Sequence, residues 1–322
     1  MNLGIDLGTT FSLAAYLNRQ GVPTLVPDFN QAGVFRTPSV VHVSGRQARI
    51  GNLLEDMLSE EPGLPVARGF KRLMGSAEPA YRDDQGQAWP AEALSALVLR
   101  KLLRDVEAHA SDSVEHCVIT VPANFDDGQR RATRVAAQLA GLQRVHLIEE
   151  PIAAAAFYGF TERDAEQTLL VFDFGGGTFD ATVLQISGGR VFVLATEGDN
   201  ALGGRGIDQS LVELLAADVQ RRHGVDPLND AAAAETLRRF AETAKIGLSQ
   251  SGHGAMRKSL VLAGRVCDMT LAPDQIERTI NPVIARTLEV CRRCLDGAGL
   301  GWRQIDRLLR HAPVAALLAE HG

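Results

Sequence analysis

The chain has 322 residues, 45% of them hydrophobic and 22% charged, with a formal net charge of −6. That balance predicts a folded protein with a sizeable core, at a length suited to about two domains, and it argues against nucleic acid or an anionic membrane as partner. No uncharged apolar run approaches the ~20 residues that span a bilayer, the opening MNLGIDLGTT makes a poor signal peptide because Asp6 interrupts it, and four cysteines make no disulfide framework, so a reduced, cytoplasmic protein is expected.

Short apolar or β-branched runs bounded by turn residues predict strands at LGIDLG, FSLAAYL, TPSVVHV, HCVITVPA, TLLVFDF, FDATVLQI and RVFVLATEG. Between them lie helical periods. PAEALSALVLRKLLRDVEAHA repeats apolar residues at Leu94, Leu97, Val98, Leu102 and Val106, and GQRRATRVAAQLAG ends on Gly141 as a helix stop. The spacing predicts a helix-rich insertion near 205–260 and a long helix through DQIERTINPVIARTLEVCRRCL. The cysteines of CRRC, Cys291 and Cys294, could form a redox or zinc half-site, but no second pair accompanies them, and ordinary helix packing explains them. The alternation of strands and helices places the chain in the α/β class.

A weak internal repeat joins the two ends of this pattern. LGIDLGTTFSLAAYL and LVFDFGGGTFDATVL each run from an apolar strand through Asp-x-Gly and a small-residue turn into a second strand, aligning Asp6 with Asp173 and Gly8 with Gly175. Repeated hairpins half a chain apart suggest two similar halves facing a cleft. A turn without Cβ atoms lets backbone N–H groups converge on an anion, and Thr9, Thr10 and Thr178 add hydroxyl donors. Two carboxylates beside a phosphate nest imply a cation between them, with Mg²⁺ held partly through water. The alternative is a pair of tight hairpins whose aspartates satisfy turn backbone. The chain contains neither G-x-x-x-x-G-K-[ST] nor a G-x-G-x-x-G between strand and helix, so the commoner phosphate loops do not apply.

GIDLGTTFS, FKRLMG, VPANFDDGQRRATRVAAQLAGL, IEEPIAAAAFYG, VFDFGGGTFD, GDNALGG and ETAKIGLS follow one another in an order and spacing that resembles the nucleotide-binding domain of the seventy-kilodalton heat-shock (DnaK-type) chaperones, over about residues 1–306. FKRLMGS and LSALVLRKL look most like the bacterial HscC branch. The resemblance implies the actin-like ATPase fold, with two ribonuclease-H-like lobes around a nucleotide cleft: lobe I over 1–168, lobe II over 169–306, and a remnant of the adenosine-site segment over 307–322. It implies ATP or ADP as ligand with Mg²⁺, K⁺ as a further candidate ion, and slow hydrolysis by direct attack of water.

The resemblance also implies roles at matching positions. Gly8, Thr9, Thr10 and Phe11 would form the first phosphate hairpin, and Gly175, Gly176, Gly177 and Thr178 the second, with Asp6 and Asp173 beside the metal and Thr178 near the γ-phosphate. Lys71 would be the catalytic lysine; from the residues alone it reads as a surface lysine in a basic pair. Glu150 would orient the attacking water from the hinge between the lobes, a role compatible with plain helix-start chemistry before Pro151. Gly203 and Gly204 of GDNALGG join the nucleotide site. Glu242, Lys245 and Ser249, on one helical face, would hold adenosine, although a solvated helix face explains the same spacing. Pro122 and Arg130 match the pair that relays nucleotide state.

Departures from the family pattern carry their own expectations. The family's adenosine site ends in a glycine turn followed by arginine and proline, whereas no glycine lies between Trp302 and His321 here, leaving Arg310 as the candidate for the arginine. Impaired nucleoside binding, and hence a nucleotide-impaired interaction module of the same fold, is therefore the alternative to an active ATPase. J-domain co-chaperones and nucleotide-exchange factors are the implied partners, but His146 and Glu149 stand where the family has arginine and asparagine, which argues against J-domain recognition. The chain as given stops before the family's peptide-binding region, so a client peptide is not expected to bind it.

Overall fold

The structure, a computed structural model, describes residues 1–61, 63–110, 113–157, 166–251 and 254–311. Two compact units are present. One comprises Met1–Ser59, Leu64–Ala165 and Ile186–Val191, the other Glu60–Gly63, Glu166–Gln185 and the residues from Phe192 on. Among the described residues no helix is long and apolar enough to cross a membrane.

The first unit opens with β1 (Asn2–Asp6), β2 (Phe11–Leu17), β3 (Pro23–Leu25) and β4 (Thr37–Pro38), followed by β5 (Val40–Ser44), β6 (Gln47–Ile50), α1 (Asn52–Glu60) and β7 (Ala67–Arg68). It continues through β8 (Tyr81–Arg82), β9 (Ala88–Trp89), α2 (Ala91–His109), β10 (His116–Val121), α3 (Asp127–Leu139), β11 (Val145–Glu149) and α4 (Glu150–Phe157). The main sheet runs β11-β10-β1-β2-β3, with β4 also on β2. β10 lies parallel to both β1 and β11, while β2 returns antiparallel to β1. Leu3, Ile5, Cys117 and Ile119 form one buried core with Leu94, Val98 and Leu102 of α2 and Ala132 and Ala136 of α3. That is the strand alternation and helical period of the sequence, converging on one apolar layer. At the head of α3, Asp126 accepts from the Gln129 amide at 2.8 Å and the Gln129 side chain accepts from the Asp126 amide at 3.0 Å, closing a reciprocal cap.

A polar cluster lies inside this unit. Lys101 of α2 contacts Asp28 at 2.5 Å and Asp105 at 2.6 Å, with side-chain exposures of only 12%, 2% and 4% respectively. Asn52 also donates to Asp28, and Asp105 accepts from the Phe29 amide. Burial pushes both carboxyls up. At Asp28 the hydrogen bonds from Lys101, Asn52 and the Asn30 amide outweigh burial and hold it below the usual carboxylate range; at Asp105 burial wins and the carboxyl lies above that range. One buried lysine thus serves two acids, and together with the Phe29 amide on Asp105 it fixes residues 28 and 29 to α2.

The second unit contains β12 (Gln167–Phe174), β13 (Phe179–Ser187), β14 (Arg190–Asp199), α5 (Gly204–His223), α6 (Ala231–Ser251), β15 (Met256–Leu262), β16 (Arg265–Leu271), α7 (Pro273–Gly297) and β17 (Arg307–His311). Its sheet runs β14-β13-β12-β17, with β17 parallel to β12. The sequence reading missed the β15–β16 hairpin; the helix-rich stretch ends at Ser251 and a strand begins at Met256. Segment 307–322 begins as a sheet strand, and its residues 312–322 lie outside the described ones. Cys291 and Cys294 sit on the buried side of α7 within the apolar core. Burial pushes their thiols up to about 12 and about 11, so both stay protonated packing groups.

Ala263 and Gly264 join β15 to β16 with positive φ at both, 48° and 75°. Only the alanine is strained there. Ala263→Asn is expected to stabilise the protein by about 0.5–1 kcal/mol, read as a higher melting temperature, and a lower one would show that the turn carries no strain. Lys101→Met should cost about 3 kcal/mol near pH 7, because it strands two buried carboxylates. The raised Asp105 holds its proton more tightly folded than unfolded, so its ionisation opposes folding and acidification relieves it; the lowered Asp28 stabilises above its unfolded range and loses that contribution as pH falls. In the variant both acids lack a counter-charge, so urea denaturation near pH 5 should show a smaller deficit than near pH 7, and an equal deficit would count against this electrostatic origin.

Candidate functional site

In the first unit, β1 delivers Asp6 to the start of the turn Leu7–Thr10. A Cβ on Gly8 would lie 2.0 Å from the Phe11 carbonyl oxygen, so only glycine lets the chain close here. Two serines absent from the sequence reading brace the turn. The Gly8 amide donates to Ser12 Oγ at 3.2 Å, Ser39 Oγ donates to the Gly8 carbonyl at 2.8 Å, and the Ser39 amide donates to the Thr10 carbonyl at 2.7 Å. Ser12 and Ser39 also share a 3.0 Å hydroxyl bond. The Thr10 hydroxyl is buried without a hydrogen-bond partner among the described residues. A buried, unsatisfied hydroxyl beside a turn that closes on a glycine is a donor that an added oxygen would complete. Asp6 itself accepts from Thr120 Oγ1 at 2.9 Å.

Lys71 lies in a single 3₁₀ turn, Phe70–Leu73, and is 6% exposed. The structure overturns its reading as a surface lysine. Its Nζ contacts Glu150 Oε1 at 2.8 Å and lies 5.7 Å from the Phe125 ring centroid. Glu150 is the first residue of α4, directly after β11, and Pro151 is buried behind it. The preceding Glu149 turns to a different cation, Arg130 of α3, at 2.9 Å. Arg130 also donates to the Phe125 and Ala123 carbonyls just beyond Pro122. The acid at 149 is therefore satisfied within the unit, by one member of the Pro122/Arg130 pair. His146 is exposed on β11.

In the second unit, Asp173 is the penultimate residue of β12 and the turn Gly175–Thr178 closes on itself, the Gly175 amide donating to the Thr178 carbonyl at 2.9 Å. The head of α5 seats against this turn. The Gly204 amide donates to the Gly175 carbonyl at 3.0 Å and the Arg205 amide to the Gly176 carbonyl at 2.8 Å. These bonds consume amides that a helix end otherwise leaves open. A Cβ on Gly203 would meet Gly177 backbone atoms at 2.7–2.8 Å, whereas one on Gly204 would meet nothing closer than 3.5 Å.

The residues expected to hold adenosine are engaged inside this unit. Lys245 pairs with buried Asp208 at 2.7 Å and donates to the Gly204 carbonyl at 3.3 Å. Burial raises the Asp208 carboxyl, opposed by the Lys245 charge. Glu242 pairs with Arg238 at 3.0 Å. The side chain of Ser249 lies outside the described residues. Arg310 lies within β17, in register with Phe172, rather than beyond the strand end where the sequence pattern sought it. Asp208 had no sequence signal beyond its place five residues after Gly203.

Each unit supplies one carboxylate beside a glycine turn, Asp6 and Asp173. Among the described residues no group of three or more His, Cys, Asp or Glu could hold a metal by itself. Taken singly, each aspartate is the kind of hard oxygen donor that suits a cation such as Mg²⁺, which needs only one or two carboxylates and keeps its waters. Gly203→Ala is expected to cost about 2 kcal/mol by forcing backbone apart, while Gly204→Ala stays within about 0.5 kcal/mol; chemical denaturation of both variants checks the contrast, and a reversed order would show that turn and helix do not abut. A family model described as Hsp70 protein matches residues 78–309, well over half of the chain. The chain therefore belongs to the Hsp70 protein family, as a chaperone nucleotide-binding domain of the actin-like ATPase fold.

Proposed function

We propose that the domain binds ATP with Mg²⁺ and hydrolyses it by direct attack of water on the γ-phosphate. The observation that carries this reading is the buried Lys71–Glu150 pair. The ammonium is buried and held in place by Glu150 at 2.8 Å and beside the Phe125 ring. A cation fixed in this way suits the stabilisation of charge on a transferring phosphoryl group. Glu150 can hold a water by accepting its hydrogen, with Lys71 fixing the carboxylate's orientation. The Gly8 and Gly175 amides brace their own turns, so phosphate oxygens would be met by the later N–H groups of Thr9 through Phe11 and Gly176 through Thr178, and the unsatisfied Thr10 hydroxyl adds a donor. Asp6 in the first unit, and Asp173 in the second, each offer a carboxylate to Mg²⁺, which when bound would neutralise charge building on the phosphates.

A second reading has its own support. Lys245 and Glu242 are committed to Asp208 and Arg238, so nucleoside contacts would compete with internal ion pairs. This favours a domain that grips phosphate more than adenosine, or a nucleotide-impaired interaction module. The Arg130–Glu149 pair likewise supports the view that J-domain docking is altered, since Arg130 is already bound.

Calorimetric titration of ATP with and without Mg²⁺ separates these readings; magnesium-dependent binding is expected, and no binding in either condition would leave the interaction module. Lys71→Ala should lower the hydrolysis rate by about 10²-fold or more while changing ATP affinity only a few-fold. Single-turnover hydrolysis equal to the parent's would remove Lys71 from the mechanism.

A further inference from the structure

The first glycine turn is poor in positive charge. Asp6 stands at its entrance, and Lys71 is matched by Glu150. Arg36 changes that balance. It is exposed, and its guanidinium carbon lies 4.9 Å from the centroid of the Phe11 ring. Phe11 is the residue whose carbonyl closes over Gly8. Among the described residues no acidic side chain pairs with Arg36.

The segment that presents Arg36 is braced from both sides. Asn52 Nδ2 donates to the Arg36 carbonyl at 3.0 Å and to Asp28 at 2.9 Å, and Asp28 is in turn held by Lys101. The next residue, Thr37, pairs with Ser12 across β4 and β2, and Ser39 bonds the turn itself. An exposed cation without an acid partner is thus held, on a rigid root, against the residue that closes the phosphate turn.

We propose that Arg36 is a phosphate-contacting residue of the first glycine turn and sets its preference for the polyphosphate part of a nucleotide, an inference that rests on the ATP reading above. The Phe11 ring holds the guanidinium ready without neutralising it. A cation–π contact at an exposed site is weaker than a charge-assisted bond to phosphate, so Arg36 can exchange one for the other as the ligand arrives. A planar guanidinium also grips two phosphate oxygens at once, which a lysine cannot.

The test compares the parent with Arg36→Gln and Arg36→Lys, using ATP and adenosine as probes at low and high salt, with Mg²⁺ present. Arg36→Gln should weaken ATP binding and raise its KM on the order of tenfold at low salt, with a shallower salt dependence and kcat within about twofold. Adenosine binding should be unchanged, and Arg36→Lys should recover part of the loss by keeping the charge. Thermal melting of both variants should match the parent, since the side chain is exposed. ATP binding by Arg36→Gln within twofold of the parent, or an equal loss for ATP and adenosine, would overturn the proposal while leaving the ATP reading intact. A parent that binds no ATP overturns both. Should Arg36→Gln fail to fold, an Arg36→Lys variant with unaltered ATP affinity and salt dependence on a folded protein decides against the bidentate contact.

Discussion

The site depends on main chain meeting main chain at van der Waals distance. At Gly8 a single methyl would strike the Phe11 carbonyl, and at Gly203 it would strike the backbone of Gly177. The first turn closes, and the helix head seats against the second, only because these side chains are missing. Ser12 and Ser39 lock the first from below; the first turn of α5 locks the second. The bracing uses the amides of Gly8 and Gly175 and the carbonyls of Gly8, Gly175 and Gly176.

Much of this was legible in the residues. Strand alternation and helical spacing gave the α/β pattern, and the DLGTT and DFGGGT stretches marked both turns, since glycine beside aspartate inside an apolar run has few other uses. What could not be read was long-range. Lys71 sits in FKRL, which by itself looks like surface; its burial depends on Phe125 and Glu150, 54 and 79 residues away, as counted along the chain. Ser39 and Asp208 are ordinary polar residues until a distant glycine carbonyl or lysine meets them. The β15–β16 hairpin escaped because MRKSLVL and RVCDMTL blur their alternation, with Lys258 and Arg265 in phase with the buried residues and Val261 and Val266 on the exposed face.

The faint repeat seen in the sequence is deeper in the structure. In the first unit the order β10-β1-β2-β3 places a parallel neighbour on one side of the aspartate strand and the returning hairpin strand on the other. In the second, β17-β12-β13-β14 repeats that arrangement, with Asp173 in register with His311 as Asp6 is with Thr120. The parallel partners share no visible motif, and β17 arrives more than a hundred residues after the strand it joins. Sheet order preserves a kinship that the side chains have lost.

The bonds between the second glycine turn and the head of α5 have a mechanical meaning. Loop and helix cannot separate without breaking two backbone hydrogen bonds, so a pull on Gly175 or Gly176 is a pull on the axis of a twenty-residue rod. Asp208 and Lys245 pin that rod to α6 one turn further along. A displacement of a fraction of an ångström at the loop is thereby geared to two helices, and the far ends of those helices sweep the larger arc.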